Sequence, residues 1–177
     1  MKIVTEYPDG LFSWVDLTST DVEASKAFYT QLFGWDAADL DDGQGNYIYT
    51  MFTIDGHNVA GLGGMQPEMQ AQGMPSHWMA YVNHSDVDHV AEKANTAGGQ
   101  MVVPPMDVMK SGRMMIVQDP TGAMLGVWQP KEHIGANVVN QPNSLVWNEL
   151  QTGDLSGARS FYETVFGWET EGIIRGM

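Results

Sequence analysis

The 177-residue sequence contains no cysteine and few basic residues. The lack of cysteine excludes disulfide bonds, thiolate metal sites and cysteine nucleophiles, so any chemistry must use His, Asp, Glu or Tyr. Eight Lys and Arg stand against 22 Asp and Glu, which gives a formal net charge of -14 at pH 7. Because this charge repels phosphate backbones and anionic lipid, the sequence argues against nucleic acid or membrane as a partner.

Long hydrophobic runs are absent as well. No stretch approaches the roughly 18 apolar residues of a membrane span, and the first residues lack the apolar centre of a secretory signal. We therefore expect a cytoplasmic protein. With 43% hydrophobic residues, the chain still has enough apolar material to form a core.

An internal repeat organises the chain. Residues 13–36 align without a gap to residues 146–169, at an offset of 133 residues. Eight of the 24 aligned positions are identical, namely Trp14/Trp147, Leu17/Leu150, Asp21/Asp154, Phe28/Phe161, Tyr29/Tyr162, Phe33/Phe166, Gly34/Gly167 and Trp35/Trp168. Each copy predicts a short strand that leads into a helix.

The helix of the first copy has clear end signals. Thr20 and Glu23 form a capping-box pattern, and apolar residues recur every four positions as far as Leu32. Gly34 suits a left-handed C-terminal cap. Strand-like runs follow at 47–54 and 59–65, separated by the turn-forming pair Asp55-Gly56. These elements make one module of strand, helix and further strands.

A second and weaker module begins near His77. It predicts a strand, a helix from about Asp86 to Ala97, and later strands near 101–103, 114–117 and 124–128. Because the repeat offset equals two modules, residues 1–130 are predicted to form a complete domain, with modules 1–66 and 76–130. Residues 131–143 are polar and turn-rich, which is typical of a linker.

Residues 144–177 are predicted to be the strand and helix that begin a truncated second domain. A strand over Leu145–Leu150 would have an unpaired edge, and a helix from about Asp154 to Phe166 would have an uncovered apolar face. We expect these surfaces to be buried against the first two modules or, as pseudo-symmetry favours, against a second chain in a homodimer. The sequence thus resembles part, or a shortened form, of a protein of about 260 residues.

The pattern WVDLTSTDVEASKAFYTQLFGW is followed one module later by AGG and then by DPTGAMLGVWQP. It resembles the glyoxalase, bleomycin-resistance and extradiol-dioxygenase superfamily, also named for vicinal oxygen chelation. The two-domain bacterial branch, with glyoxalase-like or hydroxylase-like members, is the most similar. The resemblance implies an α+β fold in which paired βαβββ modules form a curled mixed-sheet cup, here followed by an incomplete third module.

In metal-using members of this superfamily, four side chains hold one divalent ion. The resemblance places three of these positions at Trp14, Met79 and Gly126, and the fourth on the strand 59–65, which has no His, Asp or Glu. Indole, thioether and glycine are unsuitable ligands for Mg, Mn, Fe(II) or Zn. We therefore expect no metal and no other cofactor.

Other residues offer chemistry without the metal. Asp16 follows Trp14 by two positions on one strand face, so it is a candidate general base, although it could equally accept structural hydrogen bonds. Candidate ligand-binding residues are the aromatic or thioether side chains on predicted strands, namely Trp14, Tyr49, Met79, Tyr81 and Trp128. They would suit a small apolar or aromatic molecule, but they are also typical of a core. Of the five histidines, His77 best fits an alternative metal site, and the others are expected at the surface or in turns.

Three functions stay open at this point. The first is a metal-independent protein that binds or sequesters a small molecule. The second is a glyoxalase-, dioxygenase- or hydroxylase-like enzyme, hence a lyase or oxidoreductase, with non-standard metal ligands or a carboxylate base. The third is an assembly module that acts through its unfinished third module.

Overall fold

The computed structural model describes residues 2–171. In chain order its elements are β1 (Phe12–Ser19), α1 (Val22–Phe33), β2 (Asp36–Asp41), β3 (Tyr47–Ile54), β4 (His57–Gly64), α2 (Pro67–Ala71), β5 (His77–Asn83), α3 (Val87–Thr96), β6 (Gln100–Val108), β7 (Gly112–Gln118), β8 (Met124–Pro130) and α4 (Leu155–Phe166). No helix in this part of the chain has the length and apolar character that crossing a membrane requires. The mixture of sheet and helix confirms the predicted α+β class.

The chain divides into two compact units. Unit 1 contains the residues up to Tyr7, then Phe12–Tyr81 and His133–Asn148. Unit 2 contains Pro8–Leu11, Val82–Glu132 and the residues from Glu149 onward.

Unit 1 has the strand order β2-β3-β4-β1, with β5 next to β1. β1 pairs in parallel with β4, and β3 pairs antiparallel with both β2 and β4. A parallel pair needs a crossover connection, and the chain from α1 to β3 provides it. The predicted βαβββ order is therefore present, and it places Asp16 directly opposite Gly61.

The ends of α1 follow local chemistry. Its N-cap is Asp21, whose carboxylate accepts a hydrogen bond from the backbone N–H of Ala24, so the predicted capping box at Thr20 and Glu23 was wrong. Asp is a better N-cap than Thr, and it stands one residue nearer to the helix. Gly34 closes the helix with φ 69°, as expected. Beneath α1 lies a core of Leu17, Trp35, Phe52, Val59, Ala60, Leu62 and Val138.

Unit 2 has the antiparallel order β8-β7-β6. Asp86 caps α3, and this helix buries Val87, Val90 and Ala94. Helix α4 packs on α3 and buries Ala158, Phe161 and Val165. The burial expected for the third-module helix is thus confirmed, and the covering surface is a helix of the same chain.

Several expectations were incomplete or wrong. The predicted strand at Leu145–Leu150 is reduced to a single bridge between Val139 and Leu145. No described strand lies beside residues 146–150 to complete a ladder. Strand β2 and helix α2 were not predicted. The segment predicted as a linker buries Ala136 and Val138 within unit 1. The module and domain boundaries, and the curled cup, stay predictions.

The internal repeat is present in the packing of aromatic side chains as well as in the amino-acid sequence. The rings of Tyr29, Phe33 and Trp35 pack together, and those of Tyr162, Phe166 and Trp168 repeat the arrangement. The Nε1 of Trp35 donates to the carbonyl of Asn143, and that of Trp168 donates to the carbonyl of Gly10, both at 2.8 Å. Gly10 and Asn143 are themselves 133 residues apart, and both have positive φ. The structural repeat therefore begins earlier than the sequence alignment showed.

Candidate functional site

A partly buried carboxylate lies on the face of the unit 1 sheet that is opposite α1. Side chains alternate along β1, so Leu17 enters the core beneath α1 while Trp14 and Asp16 face the other side. The Asp16 Oδ2 atom lies 3.1 Å from the Tyr49 hydroxyl and 3.4 Å from the Tyr81 hydroxyl, and both hydroxyls donate to it. Four predicted site residues, Trp14, Asp16, Tyr49 and Tyr81, thus lie together.

Glycine on β4 allows Tyr49 to reach Asp16. β4 lies between β3, which carries Tyr49, and β1, which carries Asp16. A Cβ atom at Gly61 would overlap the Tyr49 hydroxyl, whereas one at Gly63 would lie 3.6 Å from the Tyr49 ring, an ordinary contact. The tyrosine ring therefore lies across the two glycines. Gly61 was not predicted as a site residue, and the glycine-rich run Gly61–Gly64 was its only signal in the sequence.

Burial raises the pKa of Asp16 from its usual 3.8 to about 6. Hydrogen bonds from Tyr49 and Tyr81, and the charge of His77, lower this pKa but only partly offset the loss of hydration. Burial also raises the pKa of both tyrosines, so they are neutral donors near pH 7. None of the ion pairs among residues 2–171 includes Asp16.

The two oxygens of the carboxylate have different surroundings. Both tyrosine hydroxyls bind Oδ2, and Oδ1 accepts no hydrogen bond from the described residues. Asp16 is only partly buried, and its unbonded Oδ1 atom is not fully buried. Oδ1 is therefore the atom that can accept a hydrogen bond or a proton from a bound molecule.

Trp14 contacts Tyr49 and helps to fix the position of its hydroxyl. Its Nε1 donates to the Tyr49 hydroxyl at 3.2 Å, and only 4% of the residue is exposed. The edge-to-face partner of its ring is His133, at 4.5 Å between centroids. Burial lowers the pKa of His133 to about 4, so this histidine is neutral at pH 7. His133, which was expected at the surface or in a turn, lies in the irregular segment after β8 and is half-buried.

The remaining predicted site residues, Met79, His77 and Trp128, do not contact Asp16 through a hydrogen bond. Met79 is 7% exposed and alternates on β5 with Tyr81, so it shares the tyrosine's face. His77 shares that face too, and its Nδ1 lies 2.9 Å from the carbonyl of Pro75. Trp128 belongs to unit 2, where its ring fills the space that a side chain at Gly112 would need.

The side chains at the family's metal positions do not fit a divalent ion. Trp14 already donates its only polar hydrogen to Tyr49, while Met79 and Gly126 offer no hard donor. β4 presents glycine at Gly61 and Gly63 on the relevant face. Across residues 2–171, no three His, Asp or Glu side chains are placed to hold a metal ion.

A second concave feature lies on the α1 side of unit 1. It is a largely apolar groove of about 750 Å³, lined by Val15, Tyr29, Phe33, Trp35, Val59, Trp78 and residues 140–148. Because Val15 and Asp16 are adjacent on β1, the groove and the carboxylate are on opposite faces of the sheet. The residues that line the groove include no ionisable group other than Tyr29.

The model of the Glyoxalase/Bleomycin resistance protein/Dioxygenase superfamily matches residues 11–127, and this chain therefore belongs to that superfamily. The chain is 44% identical over 163 residues to "Putative glyoxylase CFP32" of Mycobacterium tuberculosis, which covers 92% of this chain and 62% of that protein. It is 39% identical over 175 residues to "Anthracycline biosynthesis protein DauV" of Streptomyces sp. strain C5, which covers 93% of this chain and 63% of that protein. The chain thus spans less than two thirds of the length of these relatives.

Solved structures show the same fold at low sequence identity. The Mn(II)-bound glyoxalase from Novosphingobium aromaticivorans matches with a TM-score of 0.64 and 16% identity, over 91% of this chain and 54% of that one. Methylmalonyl-CoA epimerase from Mycobacterium tuberculosis matches with a TM-score of 0.52 and 15% identity, over 72% and 92% of the two chains.

We predict that Gly61→Ala destabilises the protein more than Gly63→Ala does. The new methyl group at position 61 must displace the Tyr49 hydroxyl, which loses its bonds to Asp16 and Trp14, at a cost of about 1–3 kcal/mol. Position 63 has room, so its substitution should cost less than about 1 kcal/mol. Urea unfolding measures both free energies, and equal losses would show that Tyr49 does not lie across Gly61.

We also predict that Asp16→Asn changes how stability depends on pH. The folded pKa of about 6 exceeds the usual 3.8, so the folded state binds more protons between these values. The stability from protonated Asp16 is fully present below about pH 4 and is lost as the pH rises through about 6, in total roughly 3 kcal/mol. Urea unfolding from about pH 4 to about pH 7 should therefore show a smaller decline in the variant. Parallel curves would contradict the raised pKa.

Proposed function

We propose that this chain is a metal-independent member of its superfamily that binds a small organic molecule at Asp16. The observation that supports this proposal is the asymmetric carboxylate. Two neutral tyrosines hold Oδ2, and Oδ1 has no partner among the described residues. A partly accessible acceptor without an ion pair is suited to a ligand that donates a hydrogen bond.

The surrounding side chains favour an apolar or aromatic ligand. Trp14, Tyr49, Met79 and Tyr81 share the Asp16 face of the sheet and provide aromatic and thioether surface. We propose Trp128 as a further aromatic residue that binds such a ligand. We also propose that the protein is cytoplasmic and that neither nucleic acid nor membrane is its partner. If it self-associates, we expect a homodimer.

An enzyme that uses Asp16 as a general base is the second candidate. The raised pKa of about 6 makes this carboxylate a stronger base than an exposed one, and its unbonded Oδ1 could take a proton from a bound carbon acid or hydroxyl. The name of the mycobacterial relative, "Putative glyoxylase CFP32", supports this candidate. Deuterium uptake from heavy water into a bound carbon acid, lost in Asp16→Asn, would favour the enzyme over simple binding.

The ligand proposal is tested with phenol and anisole, which share a ring but differ in the hydroxyl donor. Phenol should bind at least about tenfold more tightly than anisole, because a hydrogen bond to a charged acceptor is worth roughly 1.5–3 kcal/mol. The preference should weaken as the pH falls below about 6, where Asp16 is protonated. NMR titration of amide shifts measures both affinities. Asp16→Asn keeps an oxygen acceptor but loses the charge, so it should weaken the preference, and a preference that this change leaves undiminished would contradict the proposal.

The metal-independent part of the proposal has its own test. Dialysis against a chelator should leave the melting temperature and phenol binding unchanged, because the side chains at the family's metal positions lack suitable donors. Elemental analysis of the purified protein should give well under one metal per chain. A stoichiometric Mn, Fe, Ni or Zn that survives dialysis would instead favour an enzyme with non-standard ligands, for which His77 is the first residue to substitute.

A further inference from the structure

Helix α1 has an apolar stripe on its outer surface that nothing in the described chain covers. We call the exposed apolar pair Phe28 and Leu32, together with the half-buried Ser25 beside them, the α1 stripe. Phe28 is 57% exposed and Leu32 is 55% exposed, although both are large apolar residues. Their spacing of three and four positions places them on one side of the helix. An exposed pair of this kind is typical of an interaction surface.

The repeat provides a reference for this stripe within the same chain. At the offset of 133 residues, the equivalent positions on α4 are Ala158, Phe161 and Val165, and these are 2%, 1% and 0% exposed. They are buried because α4 packs on α3. Phe161 lies so close to Gly99, at the end of α3, that a Cβ there would be 2.9 Å from its ring.

Within the two helices, the positions that change from exposed in α1 to buried in α4 are those of Phe28 and Leu32. Ala27 and its equivalent Ser160 are exposed in both copies, as are Gln31 and its equivalent Thr164. The two helices therefore share an outward polar side, and the apolar pair beside it is covered only in α4. We infer that the stripe is a helix-contact surface whose counterpart lies outside the described residues.

The chemistry of the missing counterpart follows from α3. Helix α3 packs on the sheet as well as on α4, and the residues at its C-terminal end that lie near the Phe161 ring are small, namely Ala94 and Gly99. The α1 stripe has Phe28 and Leu32 where α4 has Phe161 and Val165, so a helix with similarly small residues at its C-terminal end would fit it. A second copy of this chain is a poor source, because its own α3 is already covered by α4.

We propose that the α1 stripe is the docking surface for an α3-type helix of a further βαβββ module. Its source is the part of the longer relatives that this chain does not match, which is more than a third of their length. In unit 2, α4 of the predicted third module packs on α3 of the predicted second module. If the helix of a fourth module packed on α1 of the first module, α1 would have the equivalent contact. This inference does not depend on the role of Asp16.

The absence of cysteine in the chain makes a labelling test direct. Leu32→Cys and the control Ala27→Cys are each made in this chain and in a chimera. The chimera is the mycobacterial relative with its matched region replaced by this chain and its other cysteines changed to serine. Reaction with a thiol reagent reports whether each position is accessible.

In the chain alone, the two thiols should react within about threefold of each other, because both positions are exposed. In the chimera, the Leu32→Cys thiol should react at least about tenfold more slowly than the Ala27→Cys thiol, since reaction then requires the docked helix to open. Equal rates in the chimera would overturn the proposal. Slow labelling of Leu32→Cys in the chain alone that becomes fast on dilution would overturn it too, because a second copy would then be the occupant.

The full-length relative gives a second measurement that does not depend on the folding of a chimera. Cysteines placed at the two positions aligned with Leu32 and Ala27 should show the same difference of at least about tenfold. Equal labelling there would overturn the proposal.

Discussion

The parallel pairing of β1 with β4 is the constraint on which the Asp16 site depends. It places Gly61 directly opposite Asp16, and the missing side chain leaves room for Tyr49 to cross from β3. Tyr81 approaches from β5 on the other side of β1. A slip of one residue along β1 would turn Asp16 toward the apolar core beneath α1 and away from the Tyr49 and Tyr81 hydroxyls.

A comparison with Asp119 shows why the ionised Asp16 carboxylate reduces stability at neutral pH. For Asp119, burial raises the pKa, but hydrogen bonds from Thr121, Ala123 and Tyr162 outweigh that effect and lower it. Asp119 therefore stabilises the turn before β8 and the attachment of α4. Asp16 has only two hydroxyl donors, both on one oxygen, so burial dominates. A group that reduces stability at neutral pH and retains an unbonded oxygen is typical of a functional site.

Local signals predicted the repeating parts of the fold well. Tyr47–Ile54 is the predicted strand without any change, and α3 lies within the predicted range, because alternation, Asp caps and glycine stops act over a few residues. β2 escaped notice because its six residues DAADLD are all exposed and include three acids, so its pairing with β3 decides its structure. Leu145–Leu150 has residue types that favour a strand, but the described residues include no neighbouring strands with which it could form a ladder.

The candidate site was predictable as a set of residues but not as an arrangement. Strand alternation placed Asp16 on the face of Trp14, and aromatic residues on other strands identified Tyr49 and Tyr81. Their contacts depend on strand order and on Gly61, which no local pattern shows. For the same reason the structure, and not the sequence, revealed that both hydroxyls bind one oxygen of the carboxylate.

The central claim is that Asp16 is a desolvated carboxylate held by two tyrosines. A carbon-detected NMR titration of the aspartate side-chain carboxyl groups, assigned by comparison with Asp16→Asn, measures its pKa directly. The account predicts a midpoint for Asp16 close to pH 6, and a higher midpoint in Tyr49→Phe because a hydrogen bond that favours the charged form is lost. A midpoint near 3.8 that Tyr49→Phe does not change would contradict it.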